Sequence, residues 1–160
     1  MNKNLASLWT QIYQQRLALL SLFIAISSLA YNTWRNESTE AHRNTREAAF
    51  IILQELGELE QIVSYRHYFS SSLEPNQLAN NKDSDWIRGW GKVSFIRDIS
   101  QLLPNHISNA SHSLIKTWQD HAAKLILGPN DPTGRLAEQQ IDSSIVILRE
   151  IIIIELNDLN

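Results

Sequence analysis

The sequence predicts an all-α protein in which one N-terminal transmembrane helix precedes an antiparallel bundle of about four helices. Three observations support this fold class. Residues 17 to 34 form a long apolar run without a charged side chain. Apolar residues recur at steps of three and four in the segments that follow, as they do on one face of a helix. No two segments show the alternating pattern and hairpin turn that indicate paired strands.

The apolar run at 17–34 has the length and the flanking residues of a membrane anchor. At about 1.5 Å per helical residue, the stretch from Tyr13 to Tyr31 spans roughly 27 Å, close to the ~30 Å of a bilayer's hydrocarbon core. Trp9 and Trp34 lie just outside that stretch, at the depth where aromatic belts occur. The predicted location is therefore the cell (inner) membrane, crossed once.

A cleaved signal peptide is the competing interpretation of the same residues. Lys3 and Arg16 supply a positive n-region, and residues 28 to 30, Ser-Leu-Ala, fit a small-x-small cleavage site. Counted strictly, the apolar stretch ends at residue 30 and is short for a spanning helix. The aromatic pair Tyr31 and Trp34 favours the anchor, because a cleaved signal has no need of them.

The distribution of charged residues limits the class of binding partner but does not determine the membrane orientation. Two basic residues precede the anchor and three follow it closely, so the positive-inside rule does not choose a side. The formal net charge is -3, and the first 16 residues carry two bases and no acid, which leaves -5 for residues 17–160. A mildly acidic domain argues against nucleic acid as a partner.

The predicted organisation is a short tail at 1–16, the anchor at 17–34, a polar juxtamembrane connector at 35–44, helical or partly so, and a helical bundle at 45–160. Asn44 and Glu47 resemble a capping box and predict that the first bundle helix runs from about 45 to 69. The apolar stripe of this helix consists of Ala49, Ile52, Leu56, Leu59 and Val63.

Residues 70–85 contain Pro75 and many Ser, Asn and Asp residues, which predicts a loop. A second helix is expected from about Asp83–Asp85 to Pro104. One face of it carries Trp86, Trp90, Val93, Ile96 and Leu103. Gly89 and Gly91 weaken its first turn and indicate either a kink or a close contact between helices.

A third helix is expected at about 107–127, ending at Gly128-Pro129. Its face carries Ile107, Leu114, Trp118, Ala122 and Leu125. A fourth helix follows Asp131-Pro132, with a core row of Ile141, Ile145, Leu148, Ile152, Leu156 and Leu159. Ile147, Ile151 and Ile154 add a second row, which predicts either a fully enclosed helix or a partner surface. Strand is the competing prediction for residues 145–156, because Ile and Val favour β-structure.

The sequence offers no catalytic, cofactor or metal-binding motif. The absence of cysteine excludes disulfides, thiolate metal sites and iron–sulfur clusters. The five histidines, at positions 42, 67, 106, 112 and 121, lack the spacing that places two ligands on one helix face, so surface or capping roles are expected. Glu55, Glu58 and Glu60 are expected on a solvated face rather than in a paired-carboxylate site. Tyr65, His67, Tyr68 and Phe69 form an aromatic cluster that predicts packing or a binding edge.

A stripe of small residues, Ala18, Ser21, Ala25 and Ser28, follows one face of the predicted anchor. Such a stripe allows another membrane helix to approach closely, although Ala and Ser are also common in membrane helices by chance. The stripe makes helix packing in the membrane a candidate function.

These patterns favour a non-enzymatic, membrane-anchored accessory or scaffolding subunit whose bundle binds another membrane or membrane-associated protein, or a second copy of itself. The alternative is a membrane-tethered sensory or small-ligand-binding domain. A pocket lined by Trp86, Trp90, Trp118 or Tyr68 would favour the sensor, whereas a packed core with an exposed apolar strip would favour the scaffold.

Overall fold

The computed structural model describes the backbone of residues 3–69 and 75–159, and the side chains of residues 15–69 and 84–159. The described residues form α1 (Lys3–Tyr68), α2 (Pro75–Ser100), α3 (Asn105–His121), a 3-10 helix (Ala122–Leu127) and α4 (Pro132–Asp158). They include no strand, so the predicted all-α class is confirmed and the strand alternative at 145–156 is wrong. The chain divides into two compact units, Met1–Arg43 and Asn44–Asn160, here called the N-terminal unit and the bundle.

In the N-terminal unit, apolar side chains are exposed around the whole circumference of α1. Among the described residues, α1 is the one helix long and apolar enough to cross a membrane, and none of its apolar stretch is buried. Its exposed large apolar residues include Leu17, Leu19, Leu20, Leu22, Phe23, Ile24, Ile26 and Leu29. Packing within the protein therefore does not explain why these residues are apolar. The predicted belt residues Trp9 and Tyr13 lie outside the residues whose side chains are described.

α1 does not begin at the predicted capping box, and the expected helix start near residue 45 is wrong. The first 56 residues contain neither Gly nor Pro, the two residue types that most readily interrupt a helix. The polar stretch predicted as a connector also forms helical contacts. Thr39 Oγ1 donates to the Arg35 carbonyl at 2.9 Å, and Arg43 pairs with Glu40 at 2.6 Å.

α2 begins at Pro75, eight to ten residues earlier than predicted, so the expected loop at 70–85 is wrong from residue 75 onward. Proline is favoured in the first turn of a helix, where its missing N–H removes no hydrogen bond. The turn signal carried by Pro75 therefore marks the start of this helix.

The last two helical segments end and begin at the predicted residues. The 3-10 helix stops at Gly128, which adopts a positive φ of 77° that side chains disfavour. Asp131 then caps α4, accepting hydrogen bonds from the backbone N–H groups of Thr133 at 2.7 Å and Gly134 at 3.1 Å.

The bundle core is built from the predicted apolar faces. The buried residues include Ala49, Ile52, Leu56, Leu59, Val63, Val93, Ile96, Leu103, Ile107, Leu114, Trp118, Ala122, Leu125, Ile141, Ile145, Leu148 and Ile152. Trp86, Trp90 and Leu156 are partly buried against this core. Helical spacing therefore identified the buried side of every bundle helix.

Successive bundle helices run antiparallel, as contacts that step in opposite directions along each pair demonstrate. Between α1 and α4 they join Arg46 to Leu159, Glu60 to Arg149 and Tyr68 to Glu138. Between α1 and α2 they join Glu55 and Glu58 to Lys92, and Arg66 to Trp86. Between α2 and α3 they join Ser100 to Ser111 and Gly89 to Trp118. Between α3 and α4 they join His106 to Glu155 and Thr117 to Ser144. The result is an up-down-up-down arrangement of the described helices.

Candidate functional site

The outer surface of α4 exposes four β-branched apolar side chains. Ile147 and Ile154 are 55% and 61% exposed, and Val146 and Ile153 are also exposed beside them. These positions are related by steps of seven residues, which keeps each pair on one side of the helix. Large apolar side chains grouped in this way on a folded surface are typical of an interaction site.

Ile151 does not share the exposure of the other two residues in the predicted second row. It packs partly buried against the core, because its position turns toward α3 while Ile147 and Ile154 point outward. The predicted row is therefore split between the core and the surface. Sequence spacing missed Val146 and Ile153, since a run of four consecutive isoleucines has no period of its own.

α1 extends this apolar surface across the groove between α1 and α4. Phe50 is exposed and Leu53 is partly buried, and both line a cavity of about 500 Å³ together with Ile153 and Leu156, with Arg46 and Asn157 as its polar lining. The sequence did not predict a role for Phe50, because it lies outside the apolar stripe that contains Ala49 and Ile52. We call the six residues Phe50, Leu53, Val146, Ile147, Ile153 and Ile154 the α1/α4 surface.

Charged side chains lie in the same groove, further toward the start of α4. Arg149 Nη2 donates to Glu60 Oε2 at 2.6 Å, and the Tyr68 hydroxyl donates to Glu138 Oε1 at 3.4 Å. Glu60 was expected on a solvated face; its side chain is 45% exposed and also pairs with a base from the neighbouring helix. The groove therefore changes from apolar at one end to polar at the other.

Asp142 is the carboxylic acid whose environment in this groove differs most from water. Partial burial raises its pKa to about 6, and the nearby carboxylates of Glu138 and Glu60 push the pKa in the same direction while Arg149 lowers it. Its Oδ1 atom is buried without a hydrogen-bond partner among the described residues. Asp142 can thus change charge in the mildly acidic range.

The interface between α2 and α3 is more closely packed than the groove between α1 and α4. A Cβ atom added at Gly89 would lie 2.6 Å from Cη2 of Trp118, so the glycine permits this fully buried indole to pack against the backbone of α2. Further along, the buried hydroxyls of Ser100 and Ser111 meet at 2.5 Å. Gly89 therefore marks a close helix contact, one of the two predicted alternatives. A Cβ atom added at Gly91 would meet no other atom within 4 Å.

The aromatic residues at the end of α1 form two local pairs. The rings of Tyr65 and Phe69 stack with centroids 5.8 Å apart, and His67 meets Tyr68 edge-on at 4.7 Å. Nearby, the guanidinium of Arg66 lies 5.3 Å above the ring of Trp86, a cation–π arrangement that accommodates a buried charge. This end of α1 is thus held mainly by packing.

The histidines occupy dissimilar environments. His67 is buried, contrary to the expected surface role, whereas His42 and His112 are exposed. His106 Nε2 lies 3.1 Å from Glu155 Oε2, which joins α3 to α4. Among the side chains that the structure describes, no three His, Asp or Glu residues are grouped so that they could hold a metal ion.

The predicted membrane stripe of Ala18, Ser21, Ala25 and Ser28 lies on the exposed surface of the N-terminal unit. Its use as a packing face for another helix stays a prediction. Comparisons with protein-family models, with curated proteins and with solved structures find no match to this chain. The functional interpretation consequently depends on the residues themselves.

Proposed function

We propose that this protein is a non-enzymatic, single-pass membrane protein whose helical bundle binds another protein, as an accessory or scaffolding subunit. The observation that carries the proposal is the α1/α4 surface, a group of exposed apolar side chains on a bundle whose core is otherwise well packed. Isolated apolar residues are ordinary on protein surfaces, but a continuous group needs a cover.

The membrane part of the proposal is supported by the exposure of the N-terminal apolar run. Leaving this many Leu, Ile and Phe side chains in water would cost roughly 25 cal/mol for each Å² of apolar surface, and a bilayer removes that cost. The exposed aromatic pair Tyr31 and Trp34 of α1 favours a retained anchor over a removed signal peptide, which has no need of them.

The alternative of a sensory or ligand-binding domain has one supporting feature. A cavity of about 390 Å³ lies between α1 and α2, lined by residues that include Glu58, Tyr65, Asp85 and Arg88. However, Trp118 is fully buried rather than lining a pocket. We therefore rank the interaction subunit above the sensor.

The test is to isolate the full-length chain from its native membranes in mild detergent. We expect carbonate-washed membranes to retain the intact chain, and native mass analysis to detect a second protein in stoichiometric amount. A soluble product beginning at Tyr31 would contradict the anchor. A lone chain carrying a stoichiometric small molecule would favour the sensor instead.

A further inference from the structure

More acidic than basic side chains lie around the α1/α4 surface. Glu47 precedes Phe50 by one helical turn, and Glu150 lies between the two exposed apolar pairs of α4. Along the groove toward the start of α4 follow Glu60, Asp142 and Glu138. Apolar contact area and a negative rim therefore occur together.

The arginines on this side of the bundle are already engaged. Arg149 pairs with Glu60 at 2.6 Å, and Arg46 donates to the backbone carbonyl of Leu159 at 2.5 Å. Acids thus outnumber bases, five to two, around this part of the described surface. A partner that brings positive charge would be complementary to it.

This charge distribution discriminates among three binding partners for the surface: a second copy of the chain, a lipid surface and a segment of another protein. A second copy of the chain would bring the same acids against themselves, and like charges across an interface oppose association. An anionic lipid surface would be repelled for the same reason. A protein segment with Lys or Arg beside apolar residues gains from both parts of the surface.

The shape of the groove indicates the form of that segment. Two antiparallel helices enclose a groove that accepts a third helix, with apolar anchors spaced at three, four and seven residues. From Glu138 to Ile153 the groove follows 16 residues of α4, which span about 23 Å at 1.5 Å per helical step. An amphipathic helix of about four turns matches this length.

We propose that the α1/α4 surface docks a basic amphipathic helix of another protein, a proposal that rests on the proposed function of the bundle as a protein-binding subunit. The apolar anchors of the helix cover Phe50, Ile153 and the exposed isoleucines of α4. Its Lys or Arg side chains face Asp142 and Glu138, where the groove becomes polar.

The test uses full-length chain in nanodiscs of zwitterionic phosphatidylcholine and a pair of synthetic helical peptides. One peptide of 18 residues carries Leu on one face and Lys on the other, and its counterpart has Glu in place of every Lys. We expect the Lys peptide to bind at least about tenfold more tightly, and its affinity to fall as salt is added. Empty nanodiscs give the lipid background.

Two double variants locate the binding site. Ile147→Ser/Ile154→Ser should weaken binding of the Lys peptide at least about tenfold, because exposed apolar anchors carry much of such an affinity. The control Ile87→Ser/Leu102→Ser removes side chains that are 68% and 73% exposed on the other side of the bundle, and should change the affinity less than about twofold. Equal binding of the two peptides, or equal loss in both variants, would overturn the proposal.

A failure of this proposal is distinguishable from a failure of the proposed function. If the native complex dissociates in the Ile87→Ser/Leu102→Ser variant and persists in the Ile147→Ser/Ile154→Ser variant, the protein is an interaction subunit but this docking surface is wrong. A complex that contains only copies of this chain would overturn the basic partner. Absence of any complex would remove the function itself.

Discussion

Within the bundle, the α2–α3 interface and the α1–α4 interface are built differently. Between α2 and α3, Gly89 and a buried serine pair allow close packing. Between α1 and α4, an ion pair and an acid with a raised pKa lie in an open groove. The first interface is therefore closely packed, whereas the second leaves an accessible surface.

The largest expected contrast is between the inner and outer sides of α4. Ile152→Asp places a charge where the side chain is fully buried, and it should abolish folding, with a loss above about 4 kcal/mol. Ile154→Asp, its exposed neighbour, should change stability by less than about 0.5 kcal/mol. Urea unfolding of the full-length chain in mild detergent, followed by circular dichroism, measures both. Unfolding by the second variant would mean that this row belongs to the core.

The next contrast concerns two glycines that lie two residues apart on α2. Gly89→Ala should destabilise the bundle by about 1–3 kcal/mol, because the new Cβ meets the Trp118 ring. Gly91→Ala has free space and should stabilise the helix by about 0.5–1 kcal/mol. The same unfolding measurement should therefore give opposite signs. A stabilised Gly89→Ala variant would show that the α2–α3 interface has room to adjust.

These two contrasts also show how far the sequence alone could lead. Helical spacing identified Ile152 as core and a glycine as a candidate close contact, since both follow from periodicity and side-chain size. It could not show which partner approaches Gly89, because that depends on the register of α2 against α3. The capping signal at Asn44 and Glu47 wrongly predicted a helix start near residue 45. A local capping signal does not interrupt a helix when no Gly or Pro precedes it, and α1 continues through this point.

The candidate site was predictable only in part, for a related reason. Excess apolar character on α4 was visible in the run at 151–154, but separating exposed Ile154 from half-buried Ile151 requires the position of α3. The contribution of Phe50 and the acids of the groove depends on the antiparallel pairing of α1 with α4. That pairing joins residues about 90 positions apart, such as Glu60 and Arg149, beyond the reach of local patterns.

A smaller effect should distinguish the α1–α4 interface by pH. The folded-state pKa of Asp142 is about 6 against an ordinary 3.8, so the folded chain binds this proton more tightly and loses stability as pH rises through that range. Asp142→Asn should therefore stabilise the bundle at pH 7 by about 1–2 kcal/mol, a figure reduced for solvent screening, and by little near pH 4. Unfolding at both pH values checks the sign.

Glu138 supplies the control for this pH effect, since its carboxylate is the largest charge contribution that raises the pKa of Asp142. Glu138→Gln should reduce the pH dependence without abolishing it. A stability difference between Asp142→Asn and the native chain that is the same at pH 4 and pH 7 would contradict the assigned environment.

The smallest free-energy effects are expected from one pair of interacting side chains in each interface, Glu60 with Arg149 and Ser100 with Ser111. A double-mutant cycle on Glu60→Gln and Arg149→Gln should give about 0.2–1 kcal/mol, because the pair is part exposed. A cycle on Ser100→Ala and Ser111→Ala, both buried, should give about 0.5–1.5 kcal/mol. Adding 0.5 M salt should weaken the first coupling and leave the second nearly unchanged.

The central claim is that the open α1/α4 surface is where another protein binds. Photo-cross-linking in native membranes tests it directly, with a photoreactive amino acid placed at Ile154 in one variant and at Ile87 in another, both exposed in the isolated chain. We expect an adduct with a different protein from position 154 and none from position 87. An adduct from position 87 alone, or an adduct at position 154 with the mass of two copies of this chain, would contradict it.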